Sequence, residues 1–198
     1  MQSPMLEATT KPVPDSRLLV AGWLALGAIL ALSGVLAHLP QVGPAFLAAS
    51  CAGWIVLYAR RGATRRWLDA LPLRPLLALH AIRLPIGAAF LWESSHGRLS
   101  PLFATRAGIG DIAIGVVAIG VAAIGWNNRG IVRAFTIIGL ADILFALGTG
   151  IYLMFVARDP VMLTAIARLP FPLLPFAVVP TVILTHLLVL ARSRVSIS

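Results

Sequence analysis

Residues 107–126 read AGIGDIAIGVVAIGVAAIGW, a stretch of twenty residues in which Asp111 is the one charged side chain. An α-helix needs about 20 predominantly apolar residues to cross the hydrocarbon core of a bilayer. The strict alternation of apolar and polar residues that a membrane β-strand shows is absent from this stretch. The stretch therefore predicts a transmembrane helix, and it predicts that lipid forms part of the solvent of this chain.

Further apolar runs lie on either side of this one, between short charged or turn-rich breaks. The six predicted spans cover residues 18–39, 42–59, 76–92, 107–126, 134–157 and 171–191. Residues 1–16 are polar and are predicted to form a cytoplasmic tail. We therefore predict an all-α, polytopic membrane helix bundle that forms a single domain over residues 1–198.

The composition agrees with a membrane protein and argues against a nucleic-acid-binding protein. Hydrophobic residues make up 59% of the chain and charged residues 12%, and the mean hydropathy is +0.93, which is outside the usual range of soluble domains. The net charge is +9. Because the arginines lie at the ends of apolar runs and form no continuous basic face, we expect no nucleic-acid partner.

The distribution of basic residues predicts the orientation in the membrane. With the N terminus inside, eleven basic residues fall on the inner side and four on the outer side. Cytoplasmic loops carry the excess of lysine and arginine in membrane proteins. We therefore predict that both termini are cytoplasmic, whereas Arg83 falls near the middle of the third span and belongs to neither side.

Residue usage indicates a bacterial source. Fifteen of the sixteen basic residues are arginine, and alanine, glycine and proline are abundant, as expected of a GC-rich bacterial genome. The expected location is accordingly the bacterial inner (cytoplasmic) membrane, as a multi-pass protein. The single cysteine, Cys51, excludes an intramolecular disulfide and a cysteine-based metal site.

Five charged or histidine side chains fall at bilayer depth, away from the very ends of the predicted spans: His80, Arg83, Asp111, Asp142 and His186. Such groups are costly at bilayer depth unless they have a partner or water, so they are the natural candidates for function. On the third span, His80 and Arg83 recur at helical spacing with Gly87 and Phe90, which places them on one face. Asp111 and Asp142 lie on similar faces of small residues, which predicts close packing of the three helices around these charges.

The leading functional hypothesis follows from the charge balance of this predicted core. One cation, Arg83, faces two anions, Asp111 and Asp142, so one carboxyl must be protonated, hydrated or matched to a cation. With His80, these residues are the predicted binding site for a proton, a cation or a small polar solute that the protein binds or passes. The protein is thus expected to be a small transport protein.

Two alternatives remain open at this stage. A protonated aspartate in a dry cavity could act as general acid on a lipid or isoprenoid, although no particular catalytic residue can be assigned. The small-residue faces could instead serve homo- or hetero-oligomer contacts, with the chain as a non-catalytic subunit of a membrane complex. Membrane lipids are expected partners in every case.

A cofactor is considered only at the histidines. His80 and His186 are predicted to lie at similar depth, and two facing histidines could ligate the iron of haem b. A buried histidine that merely packs in the core is the alternative. No metal site is predicted elsewhere in the chain.

Overall fold

The computed structural model describes residues 15–60 and 62–194, and over these residues the chain is helical, without strands. The predicted N-terminal tail therefore lies almost entirely outside the described residues. The helices within the described part are α1 (Ser16–Leu32), α2 (Val35–His38), α3 (Val42–Ala59), α4 (Ala63–Ala70), α5 (Leu73–Ser95), α6 (Pro101–Gly125), α7 (Arg129–Val156), α8 (Pro160–Ile166) and α9 (Leu174–Arg192).

Five of the helices in this part of the chain, α3, α5, α6, α7 and α9, are long and apolar enough to cross a membrane. Their outer surfaces carry large apolar side chains, and Ile124 of α6 is 90% exposed. Exposed apolar faces of this extent are expected where lipid replaces water around a helix bundle. The fold is thus an all-helical bundle compatible with a membrane protein.

The first predicted span, residues 18–39, is interrupted in the structure. Its first part, α1, has 17 residues and ends before Gly34, whose φ of 72° is left-handed. Glycine adopts this conformation at little cost, so it commonly terminates helices. The Ser33 hydroxyl, 2.8 Å from the carbonyl oxygen of Leu30, donates a hydrogen bond that completes the break. The first predicted span is therefore a shorter apolar helix followed by the single turn of α2.

The long helices differ from the predicted spans mainly at their ends. α3 has the predicted bounds, whereas α6 begins at Pro101, six residues before the predicted span. Proline is favoured in the first turn of a helix, where its missing N–H is not needed. α7 begins after Asn128, whose side chain accepts a hydrogen bond of 3.1 Å from the Ile131 N–H. α6 and α7 thus include Arg106 and Arg133, which flank the predicted spans.

Successive long helices run in opposite directions, so the bundle has two distinct ends. At one end, Arg74 of α5 donates to the Ala122 carbonyl of α6 (2.9 Å), and Arg192 of α9 donates to the Leu71 carbonyl (2.7 Å). We call this the basic end; the described arginines there are Arg17, Arg60, Arg65, Arg66, Arg74, Arg129, Arg133 and Arg192.

The other end, which we call the far end, contains the α5–α6 and α7–α8 connections. Here Glu93 accepts hydrogen bonds from Arg98 (2.7 and 3.2 Å) and from Arg168 (2.9 Å). The carboxylate of Glu93 beside Arg98 raises the pKa of that guanidinium. These contacts join the end of α5 to the segment that follows α8.

Candidate functional site

Three helices bring Arg83, Asp111 and Asp142 together near the middle of the bundle. Arg83 of α5 donates from Nε to Oδ1 of Asp111 on α6 over 2.6 Å. Its Nη2 donates to Oδ2 of Asp142 on α7, and its Nη1 donates to the Gly139 carbonyl over 3.2 Å. All three guanidinium nitrogens are thus bonded, and we call Arg83, Asp111 and Asp142 the charged core.

The charged core is dry on the arginine side and more open at the aspartates. The side chain of Arg83 is 2% exposed, that of Asp111 10% and that of Asp142 20%. The two carboxylates share a single guanidinium, so the ionised core has a net charge of −1. A buried charge without a counterion is strongly unfavourable, and protonation or a bound cation removes it.

Glycines allow the helices to approach closely enough for these contacts. A Cβ atom on Gly110 of α6 would overlap the carboxylate of Asp142. A Cβ atom on Gly87 of α5 would overlap the Gly108 carbonyl oxygen and lie 2.9 Å from the Ile112 nitrogen, both on α6. The small-residue faces predicted from the sequence are therefore occupied within the chain, around the charged core.

His80 and His186 lie together on the basic-end side of this region. Both side chains are fully buried, and their rings stack with centroids 3.9 Å apart and an interplanar angle of 25°. Nε2 of His80 lies 3.2 Å from the hydroxyl of Thr185. Among the described residues, Nδ1 of His80 and both ring nitrogens of His186 have no hydrogen-bond partner. We call these two residues the histidine pair.

The geometry of the histidine pair does not fit a haem iron between the rings. Axial imidazoles point their nitrogens at the iron from opposite faces of the porphyrin. Here the faces of the two rings are in contact, and a separation of 3.9 Å leaves no space for a macrocycle between them.

Two cavities open toward opposite ends of the bundle. The far cavity has a volume of about 90 Å³ and reaches from apolar residues such as Phe103 and Phe171 down to Arg83 and Asp111, the two charged residues in its lining. The basic-end cavity has a volume of about 400 Å³ and lies between α1, α3, α4 and α9. Its lining is apolar and aromatic, apart from hydroxyls that include Thr185.

Of the four residues predicted to form the binding site, the structure brings three, Arg83, Asp111 and Asp142, into direct contact. The fourth, His80, contacts His186 rather than the carboxylates. Two contacting groups are not predicted from the sequence. The Gly139 carbonyl accepts a hydrogen bond from Arg83, and the Thr185 hydroxyl lies close to Nε2 of His80. The helical spacing places Gly139 on the same face as Asp142, which points to a position near the core. Apart from being next to His186 in the sequence, Thr185 has no feature that indicates a role.

Metal ligation has no obvious place among the described residues, since no group of three or more His, Cys, Asp or Glu side chains comes together there. At the far end, the side chains of Glu93 and His96 are both engaged with neighbouring residues. Glu93 is bound by two arginines, and Nδ1 of His96 lies 2.8 Å from the Trp92 carbonyl oxygen.

Comparison with known proteins gives one match. A family model with the description Domain of unknown function (DUF8737) matches residues 36–194. Neither the curated proteins nor the solved structures contain a match to this chain. The matched range runs from α2 to the end of the described chain, so it includes the charged core and the histidine pair.

Proposed function

We propose that this chain, which belongs to the family described as Domain of unknown function (DUF8737), binds a proton or a small cation at the charged core and passes it across the membrane. The observation that carries the proposal is the contact of two aspartates with one arginine. Ionisable residues inside a membrane bundle commonly mark ion or proton pathways. A site of net charge −1 in a dry environment attracts a single positive charge, of which the proton is the smallest.

The proposed membrane arrangement has six crossings, with α1 and α2 together forming the first, and both termini in the cytoplasm. The arginines of the basic end support this orientation, because the far end has fewer basic residues. The proposed location is the bacterial inner membrane, on the basis of the residue usage alone. Surrounding lipids would contact the exposed apolar faces of the long helices.

The proposal is tested by ion flux in liposomes that contain the purified protein. Asp111→Asn and Asp142→Asn each remove one acidic group but keep its size, so we expect proton or cation flux to fall at least about tenfold. Asp69→Asn is the matched control, because Asp69 forms a partly exposed pair with Arg65 outside the core (3.4 Å). This variant should retain the flux of the unmodified protein.

Three cations should be compared in the same assay: H⁺, Na⁺ and K⁺. Infrared difference spectra recorded against pH report directly whether a carboxyl group takes up a proton, and the signal should vanish in the variant that removes the protonated aspartate. Flux that persists in both core variants would overturn the proposal. Absence of flux for all three cations in the unmodified protein would do the same.

A second function, chemistry on a lipid or isoprenoid, is favoured by the far cavity. Its lining is apolar except for Arg83 and Asp111, and it suits an apolar molecule that places a polar group next to the Asp111 carboxyl. A protonated Asp111 could then act as general acid. Mass spectrometry of membrane lipids incubated with the protein tests this function; a product formed by the unmodified protein and absent with Asp111→Asn would support it.

A further inference from the structure

The histidine pair has an unusual set of unsatisfied groups. A neutral imidazole has one N–H donor and one acceptor nitrogen. Neither nitrogen of His186 has a hydrogen-bond partner among the described residues, although the side chain is fully buried. An unpaired buried donor destabilises the folded state. A group placed at such cost in a bundle core is a candidate for a functional role.

The pair lies between the basic-end cavity and the charged core. Toward the cavity, His80 contacts the Thr185 hydroxyl, and Thr185 itself lines that cavity. Toward the core, His186 packs on Gly139, where an added Cβ would lie 2.7 Å from Nε2. The carbonyl of the same Gly139 accepts the hydrogen bond from Nη1 of Arg83. Gly139 thus contacts both the histidine pair and the guanidinium of Arg83.

The surroundings of the pair limit the number of protons it can hold. Phe135 of α7 contributes only its ring to both histidines, and Thr185 of α9 contributes a neutral hydroxyl. The nearby charged group is Arg83 of α5, which in turn contacts the two aspartates. Two imidazolium rings stacked at 3.9 Å would repel each other. The pair can therefore hold one proton but not two.

We infer that the histidine pair is a second proton site, which shares one proton with the aspartates of the charged core. The inference rests on the proposed function. It adds the part of the proton pathway that lies between the basic-end cavity and the charged core. With Arg83 charged and both aspartates ionised, the core carries −1, and one imidazolium brings the total to zero. With the proton on an aspartate and both histidines neutral, the total is again zero.

The transfer between these two states moves a proton and nothing else. The proton leaves a ring nitrogen of the pair and is bound by a carboxylate oxygen of Asp111 or Asp142, while Arg83 stays protonated. Because both states are neutral as a whole, neither leaves an uncompensated charge in the low-dielectric interior. The far cavity reaches Asp111 and the basic-end cavity reaches Thr185, so each site faces one end of the bundle.

The first arm of the test measures flux in the liposome assay described above. His80→Gln and His186→Gln remove the ring nitrogens, and each should reduce proton flux at least about tenfold. His96→Gln is the control, since His96 is exposed at the far end, and it should retain full flux. If the aspartate variants lose flux and both histidine variants keep it, the second proton site is wrong while the proposed function stands.

The second arm detects the proton by ¹⁵N NMR of histidine side chains in lipid bilayers. Replacing His38 and His96 by glutamine leaves only the pair visible, since the chain has four histidines. We expect at most one imidazolium for the two rings, and we expect it to disappear when Asp111→Asn and Asp142→Asn remove the balancing charge. Two imidazolium signals, none at any pH that the fold tolerates, or one unaffected by the aspartate variants would each overturn the inference.

Discussion

Arg83 is almost fully buried, and each of its three side-chain nitrogens makes a hydrogen bond. The acceptors are two carboxylates and one backbone carbonyl. A guanidinium suits this task because its planar donors match carboxylate geometry, which a lysine ammonium cannot reproduce. Arg83 of α5 therefore binds two other helices, α6 and α7, and its loss would leave two carboxylates without their shared cation.

Replacement of Arg83 by leucine should destabilise the protein by about 3–5 kcal/mol, the usual cost of leaving a buried charge unpaired. Asp111→Asn and Asp142→Asn introduced together with Arg83→Leu should restore most of this loss, because no carboxylate then remains. The free energy of unfolding in a denaturant titration measures both effects. Arg106→Leu, at an exposed site over the Phe145 ring, is the control and should cost about 1 kcal/mol or less. A similar small loss for Arg83→Leu would contradict this account.

At this scale, the sequence predicted the members of the charged core but not their bonds. Helical spacing alone placed Arg83, Asp111 and Asp142 on faces of small residues, because charges in lipid have to point inward. The register between helices decides which atoms meet, and that register depends on packing across the whole bundle. For this reason the hydrogen bond to the Gly139 carbonyl and the stacking of His80 on His186 could not be predicted from the sequence.

Among the helices, α5 and α6 pack most closely, and glycines control their contact. Gly87 and Gly115 each face backbone atoms of the partner helix: Gly87 faces the Gly108 carbonyl, and Gly115 faces the Leu84 nitrogen. Backbone atoms cannot move aside as a flexible side chain can. The α5–α6 contact therefore tolerates no larger residue, whereas Gly120 on the same α6 helix has open space around it.

Gly87→Ala should destabilise the bundle by about 1–3 kcal/mol, the typical cost of overpacking, because the new Cβ meets backbone of α6. Gly120→Ala is the matched control on the lipid-facing side and should leave stability unchanged or slightly higher, since alanine favours a helix over glycine. Thermal unfolding in detergent compares the two variants. Equal melting temperatures would show that the α5–α6 contact is looser than described.

The same helices show what apolar runs can and cannot predict. The existence of α3, α5, α6, α7 and α9 followed from run length, since about 20 apolar residues are sufficient for a span. Their ends did not, because a helix needs only caps and hydrogen bonds to continue beyond the hydrocarbon layer. The break at Gly34 was also missed, since a glycine within an apolar run shows no sign of a positive φ.

The bundle contains two cavities, and the charged core and the histidine pair lie between them. Arg83 and Asp111 line the far cavity, and Thr185 lines the basic-end cavity. Such an arrangement brings buried charged and histidine side chains together in one region of the interior, whereas large apolar side chains are exposed on the outer surface.

The asymmetry between the two ends predicts the orientation of the whole molecule. Basic loops are retained in the cytoplasm, so the basic end should face inward. Reporter tags at the N terminus, at the C terminus and between α3 and α4 should all be accessible only from the cytoplasm, whereas a tag after Arg98 should be accessible from outside. Accessibility to protease in oriented vesicles measures this. Exposure of the N and C termini on opposite sides would show an odd number of crossings.

The bonds from Arg83 of α5 to α6 and α7 also have a consequence for biosynthesis. In chain order Arg83 precedes Asp111 by 28 residues and Asp142 by 59, so the guanidinium leaves the ribosome before either of its counterions does. A lone arginine at the centre of a nascent helix enters lipid only at considerable cost. Helix α5 can reach its final depth at low cost only together with α6 and α7, which makes these three helices the natural unit of insertion.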